Sequence, residues 1–298
     1  MTNGGRYATG AILALAGTGA LTVPAAADVI QPEPWQMGLQ PAATPIMEMI
    51  HRFNDGLLVV VTLIVLLVLA LLLYCMVRFN AKRNPVPSKT THNTMIEVVW
   101  TILPILILVG IAVPSFSLLF AEHDPARAVA NYDPAKSMTI KVTGRAAWFW
   151  TYDYPDNGDI SVDSYLLDDD KRDPKTQPRL LSVDNPLVVP TGTVVRVQVT
   201  ADPEGIIHSF AVPSFGIKMD AIPGRLNETW FMVEREGTYY GQCSELCGRN
   251  HAFMPIEVKA VSPEKFKAWT EAAKNDLDAA YKLLAEAPAE GAVRVAGN

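Results

Sequence analysis

Charge is scarce in this 298-residue chain, at 19% of residues, against about 25% in an ordinary soluble domain. Basic charge is scarcer still, with 25 Lys and Arg against 31 Asp and Glu. That balance excludes a nucleic-acid binder, which needs a basic face. There are only three cysteines, Cys75, Cys243 and Cys247, too few for a disulfide scaffold. No Cys-x-x-Cys-His run occurs, so the chain does not attach a c-type haem. No internal repeat is present, which excludes solenoids and propellers. Apolar residues, by contrast, make up 49%, more than a core of this size absorbs.

Part of that surplus sits at the start. Residues 1–27 carry Arg6, an apolar run over 11–23 and then Ala25, Ala26 and Ala27. This is the order of a secretory signal peptide, with cleavage after Ala27. Gly17, Thr18 and Gly19 interrupt the run, which is short for a hydrocarbon core of about 30 Å. Export places the remainder in an oxidising, periplasm-like compartment.

Two longer runs predict membrane spans. Residues 56–77 contain no charge, and residues 96–120 contain only Glu97; about 20 apolar residues suffice to cross. Pro104 and Pro114 fall in the second run, where membrane helices tolerate them. The connection, 78–95, holds Arg78, Lys82, Arg83 and Lys89 and no acid, so it is cytoplasmic by the positive-inside rule. The exported segment 28–55 and everything after 120 then lie outside. Tyr74 and Trp100 sit near span ends, where aromatic rings favour the interface. Cys75 reads as an apolar filler. Glu97 reads either as a snorkelling interfacial carboxylate or as the mouth of a proton path.

Beyond residue 137 the pattern shortens to alternating runs: 138–142, 148–152, 188–189, 193–199, 206–212, 229–233, 238–241 and 256–261. Turn clusters such as Pro155-Asp156-Asn157-Gly158 and Pro190-Thr191-Gly192 separate them. Many short strands with turn signals predict a β-sandwich or barrel, assigned to 121–261. Over 262–298, Ser262 caps a helix with Pro263 and Glu264 in its first turn. Phe266, Trp269, Ala273, Leu277, Tyr281 and Leu284 then form one apolar face of an amphipathic helix, followed by a loose tail from 285.

Chemistry concentrates in Gly-Gln-Cys-Ser-Glu-Leu-Cys-Gly-Arg-Asn-His-Ala-Phe-Met, residues 241–254. Cys243, Cys247, His251 and Met254 offer two thiols, an imidazole and a thioether, and His208 lies on an earlier strand. Three readings compete. A Cys243–Cys247 disulfide fits the compartment but leaves His208, His251 and Met254 without a role. Structural zinc would use both cysteines and both histidines and leave Met254 idle. Soft sulfur with imidazole favours copper, and two bridging thiolates with two terminal imidazoles make a two-copper site chemically natural.

These stretches resemble subunit II of the haem-copper cytochrome c oxidases in its alpha-proteobacterial form. The resemblance rests on 241–254, on Lys-Met-Asp-Ala-Ile-Pro-Gly-Arg over 218–225, on Trp148-Phe149-Trp150 before Tyr152-Asp153-Tyr154, and on Thr-His-Asn-Thr-Met-Ile-Glu over 91–97. It implies a cupredoxin-like domain behind a two-helix transmembrane hairpin, carrying a dinuclear CuA centre. Cys243 and Cys247 would bridge the coppers and His208 and His251 would be terminal ligands. Met254 and the Glu245 carbonyl would be weak ligands. The Glu245 carboxylate would reach a magnesium or manganese ion at the junction with subunit I. Trp148 would accept electrons from cytochrome c, with Asp153, Asp163 and Asp184 as docking acids. Residues 121–261 hold 20 acids and 14 bases, which suits steering of a basic partner.

The resemblance also implies subunits I and III as partners, haem only in subunit I, the bacterial inner membrane as location, and Glu97 at the mouth of a proton path. It makes the chain the electron-accepting subunit of a proton-pumping oxidase. Three features depart from the family pattern: Asp202 or Glu204 stands where relatives place an acid closer to the histidine, Phe210 where they often have Trp, and the acidic stretch 168–173 reads as a surface insertion. Two rivals remain. A copper-free quinol oxidase subunit II predicts lost ligands, and all are present. A membrane-anchored copper-delivery protein would want exposed ligands, and neither Glu97 nor the 218–225 segment.

Overall fold

In the computed structural model, residues 28–285 are described; the expected signal peptide, 1–27, and nearly all of the expected tail, 286–298, lie outside the described residues. The apolar runs form two long helices, α1 (Pro45–Arg78) and α2 (Thr94–His123). Each opens on a side-chain cap: Thr44 accepts from the Met47 N–H and Asn93 from the Ile96 N–H, satisfying donors that have no intrahelical partner. Their apolar side chains stay uncovered, Leu66 and Leu106 among them. A bare face of this size needs lipid or protein against it.

Both helices outrun their expected spans. At about 1.5 Å per residue, α1 is roughly 51 Å long, well beyond the hydrocarbon thickness. The excess is used outside it. Ile46, at the start of α1, packs with Ala121 of α2, Val194 and Trp230, and the Trp230 indole N–H donates to the Ala121 carbonyl at 3.2 Å. The outer helix ends are thus plugged into the β domain.

That domain is two sheets. One follows the order β5 (Leu187–Pro190), β11 (Pro255–Val261), β10 (Gly237–Cys243), β7 (His208–Val212), β8 (Ile217–Ala221). The other follows β4 (Ile160–Ser164), β3 (Trp150–Tyr154), β2 (Met138–Gly144), β6 (Val195–Ala201), β9 (Asn227–Phe231). Alternation sends Trp150, Tyr152 and Tyr154 of β3 fully inward, where they meet Phe210, Val258 and Trp269 in one core. This is the cupredoxin-like sandwich that the resemblance implied. A short strand β1 (Asp28–Ile30) adds in parallel to the first half of β10, while β7 takes the second half.

Several expectations need correction. The run 148–152 becomes a strand only from Trp150, because residues 145–149 close a tight turn. In it the Trp148 N–H donates to the Arg145 carbonyl and the Arg145 N–H to the Phe149 carbonyl, with Trp148 left-handed at φ 62°. The run 206–212 starts its strand only at His208. Strands β1, β4 and β8 were not anticipated, although Ile160-Ser-Val-Asp-Ser164 alternates buried and exposed along its length. The amphipathic C-terminal helix is present but in two pieces, α3 (Pro263–Ala273) and α4 (Leu277–Ala285). Asn275 and Asp276 both donate to the Ala272 carbonyl, and the Asp276 carboxylate accepts from the Ala279 N–H, so Asp276 starts a new helix. The apolar face survives the break: Trp269 stands 5.8 Å from Tyr281, whose hydroxyl donates to the Pro186 carbonyl.

Candidate metal centre

His208 opens β7 and Cys243 closes β10. The pairing of Cys243 with Phe210 and of Gln242 with Ala211 brings the two ends together. Close strand approach depends on Gly241, where a Cβ would collide with the Ala211 carbonyl oxygen. The chain then loops through 244–250 and returns through Cys247. Gly248 takes φ 111° there, a conformation that glycine reaches at little cost. His251 and Met254 follow before β11.

The donors converge. Cys243 Sγ lies 3.8 Å from His208 Nδ1 and 3.7 Å from Cys247 Sγ. Cys247 Sγ lies 3.5 Å from His251 Nδ1 and 3.7 Å from Met254 Sδ. The Glu245 carbonyl is 3.4 Å from Cys243 Sγ. The donor atoms of His208, Cys243 and Cys247 all lie within 4.8 Å of one another, and His251 joins through Cys247. The sulfurs are unbonded, far outside the ~2.05 Å of a disulfide. His208, Cys243, Cys247 and Met254 are buried; His251 is half-buried.

Burial sets the protonation of these donors. Burial, with the neighbouring Cys243 adding, pushes the Cys247 thiol up to about 12. A metal that displaces its proton turns this closed pair into strong ligands. Burial also holds His208 below its ordinary value, which keeps the imidazole neutral and able to ligate. Its Nδ1 faces Cys243, and the Arg145 backbone lies close to the ring. Gly144 forms the floor: a Cβ there would stand 2.8 Å from His208 Cδ2. Two thiols, two imidazoles, a thioether and a carbonyl in this arrangement fit a copper pair.

The other anticipated residues fall around this core. Glu245 is exposed, its carboxylate free to face outward. Trp148 lies over the loop, its indole N–H donating to the Cys247 carbonyl at 2.8 Å, with Arg249 stacked 5.7 Å from its ring. Trp150 stays in the core and donates to the Met254 carbonyl. Asp153 and Asp163 stand on the outer face of β3 and β4, accepting from Ser161 and Thr151. Asp184 accepts from the Tyr165 and Asn185 N–H groups. Glu97 is far along the chain at the other end of α2, where its carboxylate accepts from the Asn93 N–H at 3.2 Å. Sequence reasoning gave no role to Gly144 or Arg145. Only the neighbour across the sheets identifies the first and a salt bridge the second.

Two family descriptions match: residues 138–261 match cytochrome c oxidase subunit II, periplasmic domain, and residues 32–118 match its transmembrane domain. A "Probable cytochrome c oxidase subunit 2" of Rickettsia bellii is 52% identical over 84% of this chain and 88% of its own length.

The chain belongs to the cytochrome c oxidase subunit II family.

A family member of Cereibacter sphaeroides, cytochrome c oxidase subunit 2, is 41% identical over 95% of this chain and 94% of its own length. The crystal structure of the periplasmic domain of subunit II of cytochrome oxidase of Bradyrhizobium japonicum covers 47% of this chain and 96% of that one, at 54% identity and a TM-score of 0.43. As a subunit II, the chain is an integral membrane component of an oxidoreductase complex, with two membrane-spanning helices and a CuA-type domain.

Proposed function

We propose that this subunit II accepts single electrons from cytochrome c on the periplasmic side of a bacterial inner membrane and passes them to haem a in subunit I. Oxygen reduction there is coupled to proton pumping. Cys243, Cys247, His208 and His251 would hold the metals, with Met254 and the Glu245 carbonyl as weaker donors. When bound, a dinuclear copper centre supplies a one-electron carrier whose charge is shared over two metals.

The residues do the rest. The pairing of β7 with β10 holds His208 and Cys243 together, which would keep rearrangement on electron transfer small. Burial of both thiols excludes water and exchange, which disfavours a delivery protein. The exposed Glu245 carboxylate would be free to hold a magnesium or manganese ion shared with subunit I, a hard cation that prefers oxygen. Trp148 provides an aromatic contact between the surface and the Cys247 backbone, and Asp153, Asp163 and Asp184 draw a basic partner to it. Glu97 marks the cytoplasmic mouth of a proton path, with subunit III completing the partners.

The observation that carries this reading is the pair of unbonded sulfurs 3.7 Å apart between two imidazoles. Cys247→Ser tests it. The purified variant should lose the two-copper EPR pattern, and its copper content should fall by about half or more, since one bridging thiolate is gone. An unchanged spectrum refutes the ligand set.

A further inference from the structure

Asp202, one of the two acids shortly before His208, is partly exposed, and its carboxylate is held by two partners. Oδ1 accepts from Arg145 Nη1 at 2.9 Å and Oδ2 from the Ala146 N–H at 2.9 Å. Arg145 Nε donates onward to Thr151 Oγ1 at 2.7 Å, and Thr151 donates to Asp163 at 2.6 Å. The Asp202 side chain is only 27% exposed and that of Arg145 34%. Burial alone would raise the carboxyl, but the Ala146 N–H and the guanidinium hold it below its ordinary value.

The clamped segment is the turn that ends in Trp148. At one end the Arg145 backbone lies close to the His208 ring. At the other, Trp148 sits left-handed, a conformation that costs a non-glycine residue energy and needs surrounding support. Its indole meets the Cys247 carbonyl. One ion pair with one N–H bond therefore fixes a turn that reaches both His208 and the Cys247 backbone.

We propose that Asp202 is a positioning residue for electron acceptance rather than a docking acid: through Arg145 and the Ala146 N–H it holds the 145–148 turn so that Trp148 stays bonded to the Cys247 backbone. The proposal rests on the reading of Trp148 given above. Asp202→Ala frees the turn. Asp202→Asn removes the charge but keeps an acceptor for the Ala146 N–H.

The test compares the assembled wild-type oxidase with Asp202→Ala, Asp202→Asn and Trp148→Phe oxidases. Each is assayed for electron uptake from reduced cytochrome c across donor concentrations and at two ionic strengths. Positioning predicts that the saturated rate of Asp202→Ala falls roughly tenfold, as small misplacements at a reaction path do. KM and its salt dependence stay within about twofold, since encounter is steered by other charges, and Asp202→Asn lies in between. A docking acid predicts the reverse: both variants raise KM equally, with a shallower salt dependence and an unchanged saturated rate. That result overturns the proposal, as does wild-type behaviour of both. A slow Trp148→Phe oxidase beside a wild-type-rate Asp202→Ala oxidase overturns Asp202 alone. A Trp148→Phe oxidase at the wild-type rate overturns the underlying reading.

Discussion

Alanine at Gly144 probes the cradle around His208 more sharply than removal of any ligand. The added Cβ would stand 2.8 Å from His208 Cδ2, 3.0 Å from Cγ and 3.1 Å from Cβ. Carbon atoms rest at about 3.5–4.0 Å, so the contact needs roughly 0.5–1 Å of relief. Gly144 is not left-handed, so alanine incurs no backbone strain and the clash is the main effect. Neither strand yields easily, because Gly144 pairs with both Trp150 and Ala201 and His208 pairs with Ala221. The softest coordinate is rotation of the imidazole itself, which carries Nδ1 away from Cys243.

Overpacking a tight site costs about 1–3 kcal/mol, and Gly→Ala returns about 0.4–1 kcal/mol through the unfolded chain. A net loss of about 1–2 kcal/mol follows, or roughly 2–8 °C in Tm at about 2–4 °C per kcal/mol. The assays are thermal unfolding of the metal-free purified chain, then copper content and EPR after loading. Expected are a lower Tm and a diminished or altered copper signal. An unchanged Tm would show that the cradle has slack. A lower Tm with an unaltered signal would show that the sheets yield instead of the ring, and the argument that Gly144 sets the ligand's orientation would fail.

Three further outcomes are expected. Trp148→Phe removes the indole bond to the Cys247 carbonyl and should slow electron uptake at saturating cytochrome c while leaving the copper EPR intact; an unaltered rate takes Trp148 off the route. Glu97→Gln keeps an acceptor for the Asn93 N–H but cannot ionise, so proton uptake during turnover should slow with cytochrome c binding unchanged; normal turnover leaves Glu97 as a helix cap only. Glu257 is buried, and burial raises its carboxyl above the ordinary range although the Val183 N–H opposes this. The folded chain therefore holds that proton more tightly than the unfolded one. The group's stabilising effect is complete below the unfolded value of about 4.3 and is lost as pH climbs toward the raised folded value. Glu257→Gln keeps an acceptor for Val183 and removes the titration, so its Tm should gain on the wild type as pH rises above about 4.3; a gap that does not widen contradicts this.

Much of the molecule was written locally. Uninterrupted apolar runs cannot dissolve, so the two long helices follow from composition, and alternation in β2 or β6 fixes which face turns inward. The donor set was equally legible, because four of its side chains lie within twelve residues, 243–254. What the linear order could not hold is anything decided by a neighbour from another strand. The same Trp-Phe-Trp run yields a fully buried residue at 150 and a half-buried one at 148 because the Arg145 turn precedes the strand. The acid at 202 is tied to Arg145, distant in sequence, whose guanidinium donates to it. The spacing of Cys243 and Cys247 permits a disulfide, zinc or copper; in the folded chain the sulfurs stand apart, with His208 brought to Cys243 by the pairing of β7 with β10 and His251 beside Cys247. Residue types and periodicity set burial and chemistry. Which side chains meet depends on sheet register and turn geometry, and those are settled only when the whole core packs.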